Sequence, residues 1–170
     1  SFSHNITNTL SGEMEDSDWT VAPNVKDIYS ETDADFQGYV ADASVRFWFL
    51  NRQYGGGSSL SIGVGAGFTY QHYEWEAGDG YQWSWTAYAG PIIGLAITYE
   101  TDLYMPYVEL VIKSKLGKMD ITGTIGGSPY LWVKDEDDHK LTQKILKTDA
   151  DGFAVKAGMQ ANYNFTKTWF

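Results

Sequence analysis

The sequence contains no cysteine, which excludes disulfide bonds, zinc–thiolate centres and catalytic thiols. It has no run of about 18 consecutive apolar residues, so no transmembrane helix is expected. No HExxH, GxSxG or phosphate-binding loop occurs either. Basic residues are scarce, because 12 Lys and Arg stand against 22 Asp and Glu, for a net charge of -10. Without a basic stripe the chain is not expected to bind nucleic acid, and cationic partners are favoured instead.

Aromatic residues and glycine are abundant, whereas proline is not. Aromatic side chains make up 16% of the 170 residues, with 18 glycines and only 4 prolines, a mixture typical of β-structure. The length suits one domain, so residues 1–170 are predicted to form a single β-barrel domain or a fragment of one. The first four residues have neither the charged nor the apolar region of a signal peptide, and we expect any such peptide to have been removed.

Apolar and polar residues alternate along several segments, and this period of two predicts strands with one apolar face. The interleaved positions carry glycine or charge, as with Gly65, Lys156 and Gln160. Glycine turns near Gly56 and Gly117 join two pairs of these strands. The patterned segments are residues 39–50, 59–71, 93–112, 119–125 and 153–165.

Other segments are harder to assign. Residues 1–12 are weakly patterned and are predicted as a strand, and residues 12–31 as a long loop. The aromatic-rich stretch 72–85 is predicted to run out into a loop at Gly78-Asp79-Gly80 and back, with its tryptophans in an interfacial belt. A change of phase at Met105-Pro106 predicts a bulge.

Alternation also occurs in soluble sandwiches, but three features favour a membrane barrel. The strands exceed the usual length, the connections are short at one end only, and the polar faces carry Asp42, Arg46 and Lys156, as a wet lumen would. The predicted fold class is therefore all-β: an antiparallel transmembrane β-barrel, incomplete or shortened, since about six strands are fewer than an ordinary single-chain barrel has.

Two acidic clusters mark the candidate site. Glu15-Asp16-Ser17-Asp18-Trp19 and Asp135-Glu136-Asp137-Asp138-His139 each end a strand-like segment, and an even number of chain reversals brings both to the same end. A carboxylate that orients an imidazole makes it a general base for water. A solvated acidic loop is the alternative. A three-histidine metal site would need His4, His72 and His139 together, so no metal is predicted.

The two clusters and the Met105-Pro106-Tyr107 segment resemble, in order and approximate spacing, the omptin family of outer-membrane proteases. The resemblance implies a Gram-negative outer-membrane barrel with its active site at the cell exterior, which hydrolyses peptide bonds beside basic residues. It implies the catalytic groups Asp16, Asp18, Asp137 and His139, and a role for Asp135 in binding the basic side chain before the scissile bond.

In this interpretation His139 is the base, Asp137 orients it, Asp16 positions the attacking water, and Asp18 supports Asp16 and the oxyanion through a shared proton. The resemblance implies no cofactor besides a dependence on lipopolysaccharide, and it implies membrane lipid and cationic peptides or proteins as partners. The chain matches about the central six of the family's ten strands. A non-catalytic barrel acting as adhesin, receptor or structural subunit, and a small pore, are the alternatives.

Overall fold

The structure is a computed structural model that describes the backbone of residues 2–4 and the whole of residues 10–165. The described residues form one antiparallel sheet of seven strands. The strands are β1 (Phe2–His4), β2 (Leu10–Asp18), β3 (Ile28–Tyr54), β4 (Ser58–Ser84), β5 (Gly90–Leu116), β6 (Met119–His139) and β7 (Lys144–Tyr163). Within these ranges no helix is long and apolar enough to cross a membrane.

Neighbours in the sheet are neighbours in sequence. From β3 to β7 each strand pairs with the next, and β1 and β2 both pair with β3, along different stretches of it. The sheet is therefore six strands wide, as the sequence predicts. Within residues 2–4 and 10–165 no pairing joins β7 to β1 or β2, so the sheet is open. It nevertheless curls, because residues of β2 and of β6 and β7 line one cavity.

The strands are longer than the sequence pattern indicated. β3, β4 and β5 each have 27 residues, roughly 90 Å of extended chain, whereas a bilayer is crossed by about 9–11 residues. The predicted loop over residues 12–31 is wrong, since β2 continues to Asp18 and β3 begins at Ile28. The predicted strand over residues 1–12 is present at 2–4 and from 10 onward, and residues 5–9 lie outside the described part.

Both predicted turns are present. A 3₁₀ turn at Gly55–Gly57 joins β3 to β4, and Gly117, with a φ of 61°, lies in the tight turn between β5 and β6. Glycine suits that turn because it adopts positive φ without steric cost. At the other end, where long loops were predicted, the connections are residues 19–27, 85–89 and 140–143. The strands themselves, rather than loops, extend the molecule there.

The outward face of the turn-proximal half is an apolar band. Large apolar side chains cover it on every strand from β3 to β7, and several are more than half exposed. Tyr39, Tyr70 and Tyr104 follow the band on this face, with ring centroids 5.6 Å and 5.2 Å apart. The band comprises Val45, Phe47, Val64, Phe68, Val108, Leu110, Ile112, Ile125, Phe153, Val155 and Met159.

The inward face at the same level is filled by charge. Glu109 is 2% exposed and accepts a hydrogen bond from Arg46 Nε at 2.8 Å, while Lys156 Nζ lies 3.0 Å from its other carboxylate oxygen. The three residues belong to β3, β5 and β7, so they reach across the intervening strands. Gly65 makes room for this, since a Cβ there would lie 3.0 Å from the Glu109 carboxylate. The inward placement of charge is confirmed.

Candidate active site

The two acidic clusters lie at the same end of the sheet, opposite the tight turns. Asp18 is the last residue of β2 and His139 the last residue of β6. Strands in an antiparallel meander alternate in direction, so β2 and β6 end on the same side. Asp16, Asp18, Asp137 and His139 all line one cavity, which we call the cleft. The structure therefore brings together the four candidate catalytic side chains named from the sequence.

Strand geometry separates the second cluster into two faces. Side chains two residues apart share a face of a strand, so Asp135, Asp137 and His139 point inward. Glu136 and Asp138 point outward and pair with lysines: Lys147 Nζ lies 2.8 Å from Glu136 Oε2, and Lys140 contacts Asp138. Among the described residues no Lys or Arg forms an ion pair with an inward-facing carboxylate of this cluster.

Asp137 and His139 form a direct hydrogen bond. His139 Nε2 lies 3.0 Å from Asp137 Oδ2, and the two side chains are 32% and 26% exposed. The other oxygen, Asp137 Oδ1, is buried and has no hydrogen-bond partner within the described part of the chain. Burying an acceptor without a donor costs free energy, so a donor from a bound molecule would be stabilised there.

Asp16 and Asp18 reach the cleft from β2. Asp16 is paired in register with Ser30 of β3, and Asp18 with Ile28, so both side chains share one face with Ser17 on the other. The Ser17 amide donates to Asp16 Oδ1 at 2.8 Å. The sequence predicted a loop here because the segment shows no regular period, whereas ladder pairing with β3 makes it a strand.

Asp27 fixes the connection that follows Asp18. Its amide donates to the carbonyl of Asp18 at 3.1 Å, and its buried carboxylate accepts from the Thr20 amide at 2.6 Å, from the Thr20 hydroxyl, and from Thr86 Oγ1 at 2.6 Å. The hydrogen bonds from Thr20 and then Thr86 lower the pKa of Asp27 from 3.8 to about 2. Asp27 thus ties residues 19–27 to residues 85–89. Sequence reasoning missed it.

Asp135 lies deeper than the cleft. It precedes Asp137 by two residues on the same inward face, is opposite Thr101 of β5, and accepts a hydrogen bond from Thr101 Oγ1 at 2.8 Å. It is not among the residues that line the cleft. A long basic side chain would have to extend past Asp137 to reach it.

Aromatic side chains also line the cleft. Trp75 of β4 and Tyr99 of β5 stack with centroids 4.1 Å apart, and Tyr99 is the register partner of Asp137. The prediction that Trp75 belongs to an interfacial belt is therefore wrong, since it points inward. The alternation of β4 could have indicated this, because Tyr73 and Trp75 occupy the same alternate positions as the inward-facing residues before them.

A second cavity, of about 480 Å³, adjoins the cleft and shares five residues with it: Asp16, Asp18, Ile97, His139 and Thr142. Bulges shape it. The pairing of β4 with β5 shifts between Ala77 and Gly78, so the consecutive residues Ala96 and Ile97 both line the cavity. Asp79, with a φ of 43°, accepts a hydrogen bond from the Gly94 amide at 2.7 Å and is part of the same irregularity.

Among the described residues one cluster could hold a metal ion, and it lies outside the cleft. His72, Glu100 and Asp102 offer ligand atoms within 4.8 Å of one another. His72 and Asp102 are register partners on the outward face, next to the tyrosines that follow the apolar band. This group is separate from the cleft.

Comparisons with known proteins identify a solved structure with a similar fold. A search of curated proteins finds no match. Among solved structures the crystal structure of outer membrane protease OmpT from Escherichia coli matches with a TM-score of 0.72 at 20% identity, over 92% of this chain. The match covers 57% of the OmpT chain, so this sequence spans less than two thirds of it. The likeness confirms an all-β antiparallel sheet of barrel type that is not closed here.

The family assignment comes from the sequence. The model of the omptin family matches residues 1–169, nearly the whole chain. This confirms the resemblance seen in the acidic clusters and the Met105-Pro106-Tyr107 segment. The chain belongs to the omptin family.

Proposed function

We propose that this protein is an outer-membrane endopeptidase that hydrolyses peptide bonds beside basic residues with a water activated by His139. The observation that carries the proposal is the convergence of Asp16, Asp18, Asp137 and His139 on one cleft, with a hydrogen bond of 3.0 Å between His139 Nε2 and Asp137 Oδ2. Membership of the omptin family supports it, as does the likeness in fold to OmpT, which is itself an outer membrane protease.

The chemistry follows from the arrangement of the four groups. Asp137 holds the imidazole in one orientation and stabilises its positive charge once it has taken a proton from water. Asp16 and Asp18, on β2 across the cleft, position that water and share a proton that supports the developing oxyanion. Attack of the water oxygen on the carbonyl carbon is followed by cleavage of the C–N bond, and the imidazolium proton passes to the leaving amine.

The acidity of the cleft supports a cationic substrate. Four carboxylates, those of Glu15, Asp16, Asp18 and Asp137, line it against a single lysine, Lys144, and Asp135 lies below it on the same face as Asp137. A guanidinium that passes Asp137 can bind Asp135 with two parallel hydrogen bonds, which favours arginine. The buried oxygen Asp137 Oδ1 offers an acceptor on the way.

The apolar band supports a position in the outer membrane. Ile125 lies in the band and Asp137 in the cleft, 12 residues further along β6, or about 40 Å of extended strand. A bilayer around the band therefore leaves the cleft in water, and we propose that the end of the sheet that carries the cleft faces the cell exterior. Membrane lipid and lipopolysaccharide are the proposed partners of the band, and no cofactor is required for the proton transfers described.

Cleavage of defined peptides tests the proposal. The full-length protein in lipopolysaccharide-containing micelles should cleave a peptide with a single internal Arg or Lys, and should cleave the same peptide far more slowly when that residue is replaced by Gln. Mass spectrometry of the products locates the bond. Intact peptides in every case would favour the non-catalytic barrel instead.

A further inference from the structure

We infer that the second cavity binds a large apolar side chain, that of the substrate residue directly after the scissile bond. The inference rests on the proposed peptidase function and adds a specificity to it. The cavity is continuous with the cleft through Asp16, Asp18 and His139. A peptide bound at those residues can therefore place one of its side chains next to the scissile bond in the cavity.

About half of the residues that line the cavity are apolar, and most of its polar residues carry no charge: Ser30, Thr32, Gln82, Tyr88 and Thr142. Ile92 and Ala96 are almost fully buried there, and Ile28, Ile97 and Pro91 are among its other apolar residues. Its only Asp, Glu, Lys, Arg or His side chains are those of Asp16, Asp18 and His139, which also line the cleft. A charged substrate side chain placed in it would lose its hydration without gaining an ionic partner on the far walls, whereas an aliphatic or aromatic one would be removed from water.

The cavity is held open by hydrogen bonds. Gln82 Nε2 donates to the carbonyl of Tyr88 at 2.6 Å, and the Tyr88 hydroxyl donates to the carbonyl of Pro91 at 3.2 Å. Thr86, in the same connection, donates to Asp27. These contacts fix the wall before substrate arrives, so little ordering remains to be done on binding.

The direction of the peptide follows from the position of Asp135. Successive side chains of an extended peptide point to opposite sides. If the basic side chain before the scissile bond points down β6 past Asp137 toward Asp135, the next side chain points away from it. The second cavity lies on that other side of His139, between the ends of β3, β4 and β5. The apolar residue is therefore assigned to the position after the bond.

A matched set of peptides tests the assignment. Peptides that are identical except for the residue after a single Arg, which is Leu, Phe, Ala, Lys or Asp, are incubated with the full-length protein in lipopolysaccharide-containing micelles. We expect kcat/KM for Leu and Phe to exceed that for Lys and Asp by about 10-fold to 100-fold, the range that an apolar pocket provides. Equal values across the set would overturn the inference and leave the proposed function standing.

Two variants locate the preference. Leu141 lines the cavity and is 59% exposed, so Leu141→Asp adds a carboxylate at its edge with little risk to folding. Val21 is 65% exposed in the connection after β2 and lines neither cavity, so Val21→Asp is the control of equal charge. Leu141→Asp should shift the ratio of Leu to Lys cleavage toward Lys by about 10-fold, and Val21→Asp should leave it unchanged.

The outcomes separate the two claims. Should Leu141→Asp and Val21→Asp change the ratio equally, the preference does not come from this cavity and the inference fails. Should the wild-type protein cleave none of the five peptides, the proposed peptidase function fails and the inference falls with it.

Discussion

Single residues of like charge have different environments in this protein. Asp135, Asp137 and Asp138 lie within four positions of one another, yet Asp138 contacts a lysine on the outward face, Asp137 bonds to His139, and Asp135 bonds to Thr101. The period of two along β6 produces this separation. Charge count alone, which first suggested a solvated loop, does not distinguish them.

Asp135 is expected to determine preference for the basic residue. Asp135→Asn should lower kcat/KM for a substrate with Arg before the scissile bond. The expected loss of transition-state stabilisation is about 1 to 3 kcal/mol, the scale of a hydrogen bond to a charged group. A substrate with a neutral residue there should be affected much less. Paired kinetics on the two substrates measure the difference. Equal losses would show that Asp135 acts only through the general field of the cleft.

Asp27 is expected to make the connection after β2 sensitive to acid. Its folded pKa of about 2 lies below the ordinary 3.8, so its stabilising contribution is complete above about pH 4 and is lost as the pH falls toward 2. The Thr20 amide, which donates to this carboxylate, should show an NMR shift change with a midpoint near pH 2. Asp27→Asn should abolish the change, and a midpoint near pH 4 would contradict the assigned hydrogen bonds.

At the scale of elements, alternation predicted the strands and glycine predicted the turns. The bulge predicted at Met105-Pro106 is also present, as a register shift between Tyr104 and Val108. Two segments were predicted wrongly, residues 12–31 because they show no strand period and residues 78–80 because they have the composition of a turn. In the structure β2 is paired with β3 along its length, and Gly78 and Gly80 are paired with β3 on either side of the unpaired Asp79. Pairing involves residues far apart in sequence, so local composition does not reveal it.

The charge network between strands makes a further prediction. Replacing Glu109 by Ala leaves Arg46 and Lys156 facing each other without their shared carboxylate. We expect a loss of about 1 to 3 kcal/mol in the free energy of unfolding, below the full value for a buried pair because both cations reach water. Urea unfolding followed by tryptophan fluorescence measures the loss.

A surface pair provides the control for Glu109. Lys147 and Glu136 are also 2.8 Å apart, but both are well exposed. Glu136→Ala should therefore cost less than about 1 kcal/mol. Comparable losses for the two variants would show that the inward-facing network adds no stability beyond that of an exposed ion pair.

For the whole molecule, the alternating pattern predicted the inward and outward faces but could not predict closure. The edges of the described sheet are β7 and the pair β1 and β2, and six strands correspond to only part of the OmpT barrel. The convergence of the site could be predicted because it depends only on strand direction. The Asp27 contacts and the second cavity could not, since connections and bulges position them.

Accessibility measurements test the orientation of the faces. Spin labels at Val64 and Val155, in the apolar band, should be relaxed by oxygen rather than by a polar agent when the protein is in bilayers. A label at Gln160, on the inward face of β7, should show the opposite preference. The reverse result at Val64 and Val155 would indicate a soluble sandwich with its apolar faces turned inward.

The most direct measurement compares two histidine variants in the peptidase assay. His139 lies in the cleft beside Asp137, whereas His72 bonds to Asp102 on the outward face, so His72→Ala removes the same chemical group outside the cleft. The account predicts that His139→Ala lowers kcat on an Arg-containing peptide by about 100-fold or more, as the loss of a general base does, while His72→Ala retains activity near that of the wild type. Similar activity in both variants would contradict it.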